Sequence, residues 1–549
     1  MTHSTAFAPI DLPTIPDTAV EHGEVYTRDW VVEMILDLVG YTSDKELASL
    51  VISDPACGSG AFLLGIARRL SAACRKHGTD LPAMGIRALD LLSRSVRTSR
   101  EVVADLLVDE GWDRAYVEPL VEGWIQQGDY LLSEPQPADF VVGNPPYIRL
   151  EDVPDARMKL YRQNHTTMVG RADIYVGFYE RALGSLTPNG SLGFICADRW
   201  MRNQYGRELR RLIGDQFSVE FVAIMHDVDA FEEAVAAYPA ITVVRKHEQG
   251  SVVVAQTTKH FDAARAHELV KWMGTDSHDQ TTLGYEAARL PAWFSGGDSW
   301  PAGSPARLEM LEELNERFPP LEDTGARVGI GLASGADAVF LTGDPHQVEH
   351  SRALPMSMVR DARTGTLKWD GTYLVNPWED DGKLVDLDRY PRLKAYFEQH
   401  REALAGRYVA RKNPAQWYKT IDKVDSSLTA KPKLLLPDMK LTIHPVLDEG
   451  GHYPHHNLYY VVADAWDMRV LGGLLLSRVA QAFVEAYAVR MRGGTLRFQA
   501  QYLRRIRVPR PESIGKADAE ALIRAFDRRD IEAATTAALR VYGLDHLPS

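Results

Sequence analysis

The sequence predicts an α/β fold over its first half, a doubly wound and mostly parallel sheet, followed by a mixed α+β domain. Three observations predict it. From residue 21 to about 246, short apolar runs alternate with stretches of helical apolar spacing, as strands joined by crossover helices require. Near residue 55 an apolar run, a glycine-rich turn and an amphipathic stretch follow one another directly. From about residue 326 the texture changes to short apolar runs broken by Gly, Pro and Asp, with helical stretches at 391–405 and 470–487. Residues 1–20 read as a tail and 247–325 as a mixed connector.

The elements follow in order. Residues 50–53 form the first strand candidate, and Asp54, Pro55, Ala56, Cys57, Gly58, Ser59 and Gly60 form the turn. Helical spacing then starts at Ala61. Small residues in the turn let a ligand approach the backbone, and the helix start offers free N–H groups. Taken alone, this turn could equally hold NAD. The second strand candidate, 85–89, ends at Asp90, where an acid can bind both ribose hydroxyls of a nucleoside. Asp129 follows within 126–130, placed to accept from an adenine amino group. The apolar run 139–143 leads into Asn144, Pro145, Pro146 and Tyr147, and strand candidates at 190–195 and 240–244 close the pattern.

Asn-Pro-Pro-Tyr after an apolar run, about ninety residues beyond the glycine turn, points to methyl transfer onto a conjugated nitrogen. An exocyclic amine on a nucleobase is a poor nucleophile, because its lone pair is delocalised into the ring. The Asn144 side-chain oxygen and the Pro145 carbonyl could accept its two hydrogens and favour a pyramidal nitrogen. The two prolines stiffen the turn and remove two donors. Tyr147 supplies a flat face for a base, which would have to be flipped out of a duplex to reach it.

The order of these elements resembles the gamma class of DNA adenine-N6 methyltransferases of restriction-modification and defence systems. The likeness covers most of the chain from about residue 21. It implies a Rossmann-like S-adenosylmethionine-dependent methyltransferase domain at 21–246 and a target recognition domain at 326–549, opening near 328–337. It also implies the cofactor S-adenosylmethionine, with Tyr26, Thr27, Asp54 and Ala56 at the methionine end and Gly58 and Gly60 beneath it. Asp90 would bind the ribose and Asp129 the adenine amine, with Leu91, Tyr130, Pro146 and Phe178 walling the adenine. Asn144 and Pro146 would touch both cofactor and target. Phe231 falls where a second aromatic often holds the flipped base, and Tyr238 competes for that role. Arg28 stands where a proline commonly follows the threonine.

Composition fits a large cytoplasmic enzyme. The 549 residues are 45% hydrophobic and 25% charged, enough for two or three cores. No signal peptide or run of about eighteen apolar residues is present, so no membrane partner is expected. Cys57, Cys74 and Cys196 are too few for a disulfide framework and lack zinc spacing, so all three read as reduced fillers. The net charge of −13 argues superficially against a polyanion, yet local clusters decide. One holds Arg490, Arg492, Arg497, Arg504, Arg505, Arg507 and Arg510. A second joins Arg407, Arg411, Lys412 and Lys419 with Tyr408, Trp417 and Tyr418, and a third runs from Arg199 to Arg211. Arg411, Lys412, Trp417, Arg490, Arg492 and Arg497 are the candidate DNA contacts.

The expected partner is double-stranded DNA, with a separate restriction nuclease or other defence subunits beside it. No metal is expected. His452, His455, His456 and Asn457 lack a second ligand set and read as a recognition loop, and the few residues before the first motif leave no room for a fused nuclease. Rival readings are a methyltransferase of RNA or of a protein glutamine, and a DNA-binding subunit that needs a partner. The complete motif set and the basic, aromatic second half favour DNA.

Overall fold

The computed structural model describes residues 25–233, 238–488 and 495–548. The chain forms two compact units, one ending at Ala306 and the other beginning at Arg307.

The first unit is built on ten strands: β1 (Ile52–Asp54), β2 (Ile86–Asp90), β3 (Ile125–Gln127), β4 (Ala138–Gly143), β5 (Leu186–Ala197), β6 (Ser218–Ile224), β7 (Pro239–Arg245), β8 (Val252–Thr257), β9 (Asp279–Thr281) and β10 (Tyr285–Leu290). Their spatial order is β3-β2-β1-β4-β5-β7-β6-β8-β10-β9. Strands β1 to β5 are parallel, and β7 runs antiparallel between β5 and β6. The chain steps outward from β1 to β3 and then returns to β4, so the sheet reverses direction of progress between β1 and β4. A crevice opens at such a reversal, beyond the carboxyl ends of the strands. Asp54, Asp90 and Gly143 end three of those strands, and Asp129 lies just past the fourth.

Helices cover the sheet as the apolar spacing requires: α1 (Asp29–Val39), α2 (Ala61–His77), α3 (Ser93–Asp109), α4 (Arg114–Trp124), α5 (Asp155–Asn164) and α6 (Tyr175–Ser185). Val31, Val32, Ile35, Leu36 and Val39 of α1 share one core with Ile52, Ile86, Phe140 and Ile195 of the sheet. Gly193 in β5 permits this approach, because a Cβ there would lie 2.5 Å from Val39 Cγ1 and 2.9 Å from Ile35 Cγ2. The stretch expected to be a connector, 247–325, divides between the units. Strands β8 to β10 extend the first sheet, with β8 parallel to β6 and β10 antiparallel to β8. Only residues from Arg307 onward belong to the second unit. The run 252–257 is apolar enough to be buried, and short hairpins at a sheet edge leave little periodic signal in sequence.

The second unit contains an antiparallel sheet in the order Ala326–Ile330, Leu458–Ala463, Lys433–Pro437, Val446–Asp448. Leu434, Leu436, Tyr459 and Val461 enter one apolar core, whereas Leu435, Val446, Tyr460 and Val462 enter another. Burial on both faces explains why these strands read as continuous apolar runs without alternation. The helix expected at 470–487 is two helices, Met468–Leu476 and Arg478–Tyr487, bent by 62°. Ser477 breaks it, accepting from the Ala480 N–H as an N-cap of the second helix. The helix expected at 391–405 is likewise divided, at His400. Among the described residues no single helix is long and apolar enough to cross a membrane.

Gly193→Val should destabilise the first unit by roughly 1–3 kcal/mol through overpacking between β5 and α1. Chemical denaturation should show an earlier midpoint with an unchanged slope; a midpoint equal to wild type would refute the close packing.

Candidate active site

The carboxyl ends of β1, β2 and β4, with the turn after β3, line a cavity of about 950 Å³ that includes the open space at its mouth. Gly60 begins α2 with φ +100°, where a Cβ would meet Val102 Cγ2 at 3.2 Å, so the turn into the helix needs glycine. No atom lies within 4 Å of a Cβ built on Gly58, which leaves backbone facing open cavity. Asp90 steadies the turn by accepting the Gly58 and Leu92 N–H groups through separate oxygens at 2.9 Å. Tyr130 and Phe178 stack at 5.3 Å between centroids and make a flat apolar wall.

Asn144 sits where β4 ends. Gly143 before it has φ +154°, and a Cβ there would come within 3.0 Å of Asp54 Oδ1. The Asn144 Nδ2 donates to the Val25 carbonyl at 3.0 Å and to Thr27 Oγ1 at 3.2 Å. Both partners being acceptors at these positions fixes which end of the amide is nitrogen. Among the described residues the other end, Oδ1, is buried without a partner, and so is the Tyr147 hydroxyl. Burial holds the Tyr147 phenol protonated, well above its usual range. Phe231 meets the Tyr147 ring edge-on at 6.4 Å, and its backbone bridges to Thr27. Beside the cavity-lining Asn144, the turn thus brings together one unpartnered acceptor, one buried hydroxyl and two aromatic rings. It suits a planar group that donates N–H.

Burial pushes the Asp54 carboxyl up to about 8; the Asp90 charge adds to this, and the Ala56 N–H works against it. Burial also raises Asp90, against its two backbone donors. Asp129 Oδ2 accepts from Arg157 and, at 2.8 Å, from the Tyr161 hydroxyl, while Oδ1 accepts from the Leu131 N–H at 3.1 Å.

Tyr26, Thr27, Asp54, Ala56, Gly58, Asp90, Leu91, Asp129, Tyr130, Asn144, Pro146 and Phe178 all line the cavity. Gly60 does not, because it is the pivot of the turn. Pro145 is buried and does not line it either. The Tyr238 ring lies tilted against His226 at 4.7 Å between centroids, whereas Phe231 is the aromatic beside Tyr147. Arg28 pairs with Asp229 at 2.7 Å, tying the N-terminal segment to the Phe231 loop. Sequence reading missed Arg157, Tyr161, Ile148 and Ile174. The two at i and i+4 on one helix face were detectable only as a polar pair on an otherwise unremarkable helix.

A Type II methyltransferase of Pseudomonas aeruginosa, M.PaeR7I, is 43% identical over 539 residues, covering 95% of this chain and 92% of that protein. Another, M.XhoI of Xanthomonas vasicola, is 41% identical over 539 residues, covering 96% and 98%. The chain belongs to the Type II methyltransferase family. Within it, the family described as Eco57I restriction-modification methylase matches residues 121–231, which contain Asp129 and the Asn144–Tyr147 turn. The adenine-specific methyltransferase PglX of Streptomyces coelicolor is 25% identical over 466 residues, covering 69% of this chain and 37% of that one.

The second unit of this methyltransferase treats the candidate DNA contacts unequally. Arg411 and Lys412 are exposed on the short helix Tyr408–Lys412, with the Lys412 ammonium 4.7 Å over the exposed Tyr408 ring. Trp417, a candidate DNA contact, is 8% exposed and packs in the core under the Arg401 guanidinium. Its apolar area is better used there than in solvent. Arg497 pairs with Asp438 at 2.5 Å. Arg490 and Arg492 lie outside the described residues, as do Met1 to Glu24. In the third arginine cluster, Arg210 is buried and donates to the backbone carbonyls of Trp200, Asn203, Gly297 and Asp298, a structural role. Asp337 joins His455 and His456, with ligand atoms within 4.8 Å of one another, and His455 Nε2 lies 3.1 Å from Asp337 Oδ2.

The raised Asp54 predicts a pH dependence. Its folded value, about 8, lies above the ordinary 3.8, so the neutral acid prevails at pH 7. A cation bound beside it favours the carboxylate, so binding below pH 8 releases a proton. Affinity for a sulfonium cofactor should therefore rise from pH 6 to 8, by at most about tenfold per unit, and level off above. Calorimetry in buffers of different ionisation enthalpy measures the proton. Asp54→Asn should abolish the dependence, and an affinity flat from pH 6 to 8 in wild type would refute it.

Proposed function

We propose that this protein methylates the N6 amine of an adenine flipped out of duplex DNA at a specific sequence, using S-adenosylmethionine. The unpartnered, buried Oδ1 of Asn144 carries the reading. With its Nδ2 spent on Val25 and Thr27, Asn144 can only accept, so the group it receives is an N–H donor. Tyr147 and Phe231 supply rings for a planar base, which favours a nucleobase over a flexible glutamine amide. The Type II methyltransferase relatives and the name of PglX as adenine-specific support DNA and adenine respectively.

The cavity fits the cofactor. Open backbone at Gly58, a stacked aromatic wall and acids at three strand ends suit a nucleoside joined to a cationic amino acid. S-adenosylmethionine, when bound, supplies a methyl group on a positively charged sulfur. The chain's part is to draw the amine lone pair out of conjugation with Asn144 Oδ1 and the Pro145 carbonyl, to hold the base with Tyr147 and Phe231, and to exclude water. A separate restriction nuclease acting at the same DNA sequence is the partner that this role implies.

Asn144→Ala should lower transfer by at least about 10²- to 10³-fold while leaving cofactor affinity within a few-fold of wild type. Long-read sequencing of DNA from a methylation-free host expressing either protein reads the outcome. A single motif carrying N6-methyladenine only with wild type is expected; methylation retained by the variant, or a mark on RNA or protein alone, overturns the reading. Replacing Arg411 and Lys412 together by Ala should reduce the slope of log affinity against log salt by about 2 if both meet phosphates. An unchanged slope would assign them to ordinary surface.

A further inference from the structure

Asp129 is held by a clamp that its place in the cavity does not require. Arg157 and Tyr161, i and i+4 on α5, both donate to Asp129 Oδ2. The Leu131 N–H takes one position on Oδ1. A carboxylate offers about four lone-pair directions. Three are filled, and one on Oδ1 remains.

The clamp is costly to build. The Arg157 side chain is only 7% exposed and that of Asp129 15%, so both charges are largely removed from water. Its helix is anchored to the same turn a third time, through His165 Nε2 at 2.9 Å from the Leu131 carbonyl, which Arg181 also contacts at 2.8 Å. Asp129 thus has a fixed orientation and, among the described residues, one Oδ1 acceptor position left open, and it lines the cavity with Tyr130 and Phe178. A mobile carboxylate could turn away from the 6-oxo group and accept the neighbouring N1–H that a 6-oxo purine carries. This one cannot turn without breaking two bonds in a nearly dry site.

We propose that Arg157 and Tyr161 are positioning residues that make the cofactor site select adenine: they occupy one oxygen of Asp129 and leave the other to meet the purine 6-amino group. The proposal rests on the reading of Asp129 as the partner of the cofactor adenine. An amino group donates to the open lone pair, whereas a 6-oxo group presents an acceptor to an acceptor. Tyr161 also lines the cavity, so its ring packs near the ligand while its hydroxyl holds the carboxylate.

Binding, not turnover, tests it. Calorimetry on the full chain compares S-adenosylhomocysteine with S-inosylhomocysteine, which differs by the 6-oxo purine. Wild type should prefer the adenosyl compound by roughly 10²-fold, since a site built to pair a donor rejects its replacement strongly. Tyr161→Phe keeps the ring and Arg157→Gln removes the charge. Each should cut that ratio by roughly three- to tenfold, almost wholly by weakening the adenosyl compound, with little change in melting temperature for Tyr161→Phe. If both compounds weaken in proportion, or the ratio is unchanged, the two residues are structural and the proposal falls while the reading of Asp129 stands. If wild type itself shows no preference, the reading of Asp129 fails and takes the proposal with it.

Discussion

The bond between the Asn144 amide and the segment Val25–Thr27 sets the rest of the site. Rotating an unheld amide would exchange its donor for its acceptor at almost no cost, and a donor facing the substrate amine would oppose it. Two acceptors, the Val25 carbonyl and Thr27 Oγ1, prevent that rotation. Thr27 is in turn fixed by its bridge to Phe231, and the Arg28 N–H donates to the Ala230 carbonyl. Segments more than a hundred residues apart therefore define one polar atom. The sheet is what brings them together, since β4 ends at Gly143 in the middle of it.

The same strand ends concentrate acids at a dry edge. Asp54 is 2% exposed, and burial, with the Asp90 charge added, keeps its carboxyl largely neutral at physiological pH. A buried group poised this way costs stability as pH rises, because the folded chain holds a proton that the unfolded chain releases. In the proposed reading, a cation arriving beside it takes the proton's place and relieves that cost. Asp129, unlike Asp54, pairs with a resident guanidinium, that of Arg157. One acid is left for the ligand to complete, and the other is completed by the chain.

Strand ends were legible in the sequence where burial on both faces gives an unbroken apolar run, as at 139–143, and where glycine or proline punctuates it. Most residues predicted to line the cavity came from the loops directly after such runs, with Tyr26 and Thr27 from the N-terminal segment and Phe178 from a helix; of the predicted site residues, Gly60, Pro145, Tyr147 and Phe231 do not line it. Arg157 and Tyr161 were not legible, because their helix has little apolar periodicity and their partner lies 28 and 32 residues away. Asp337 was missed beside His455 for the same reason, at a separation of 118. The boundary of the first unit was misplaced because short edge strands such as β9 carry almost no pattern. Trp417 misled because an aromatic among basic residues looks alike whether it faces solvent or a core.

Counting arginines along the second half overstates its free positive charge. Arg497 faces Asp438, Arg504 lies 3.1 Å from Glu322, and Arg407 donates to the carbonyls of Ser334, Trp417 and Lys419. Arg505 lies over the Tyr487 ring and Arg507 donates to Asn315. Each of these holds the unit together before it can meet a phosphate. In a chain of net charge −13, such internal pairing matters, since an arginine committed to a carboxylate adds nothing to the far field that steers a polyanion. Among the described residues, Arg411 and Lys412 are exposed with no carboxylate paired to them, so if this face meets DNA, as proposed, they weigh more in the attraction than their number suggests. Where few cations are free, the sequence-independent backbone attraction weakens and base contacts weigh more in binding. For an enzyme that must leave most of a genome unmodified, weak attraction to the backbone is itself a source of specificity.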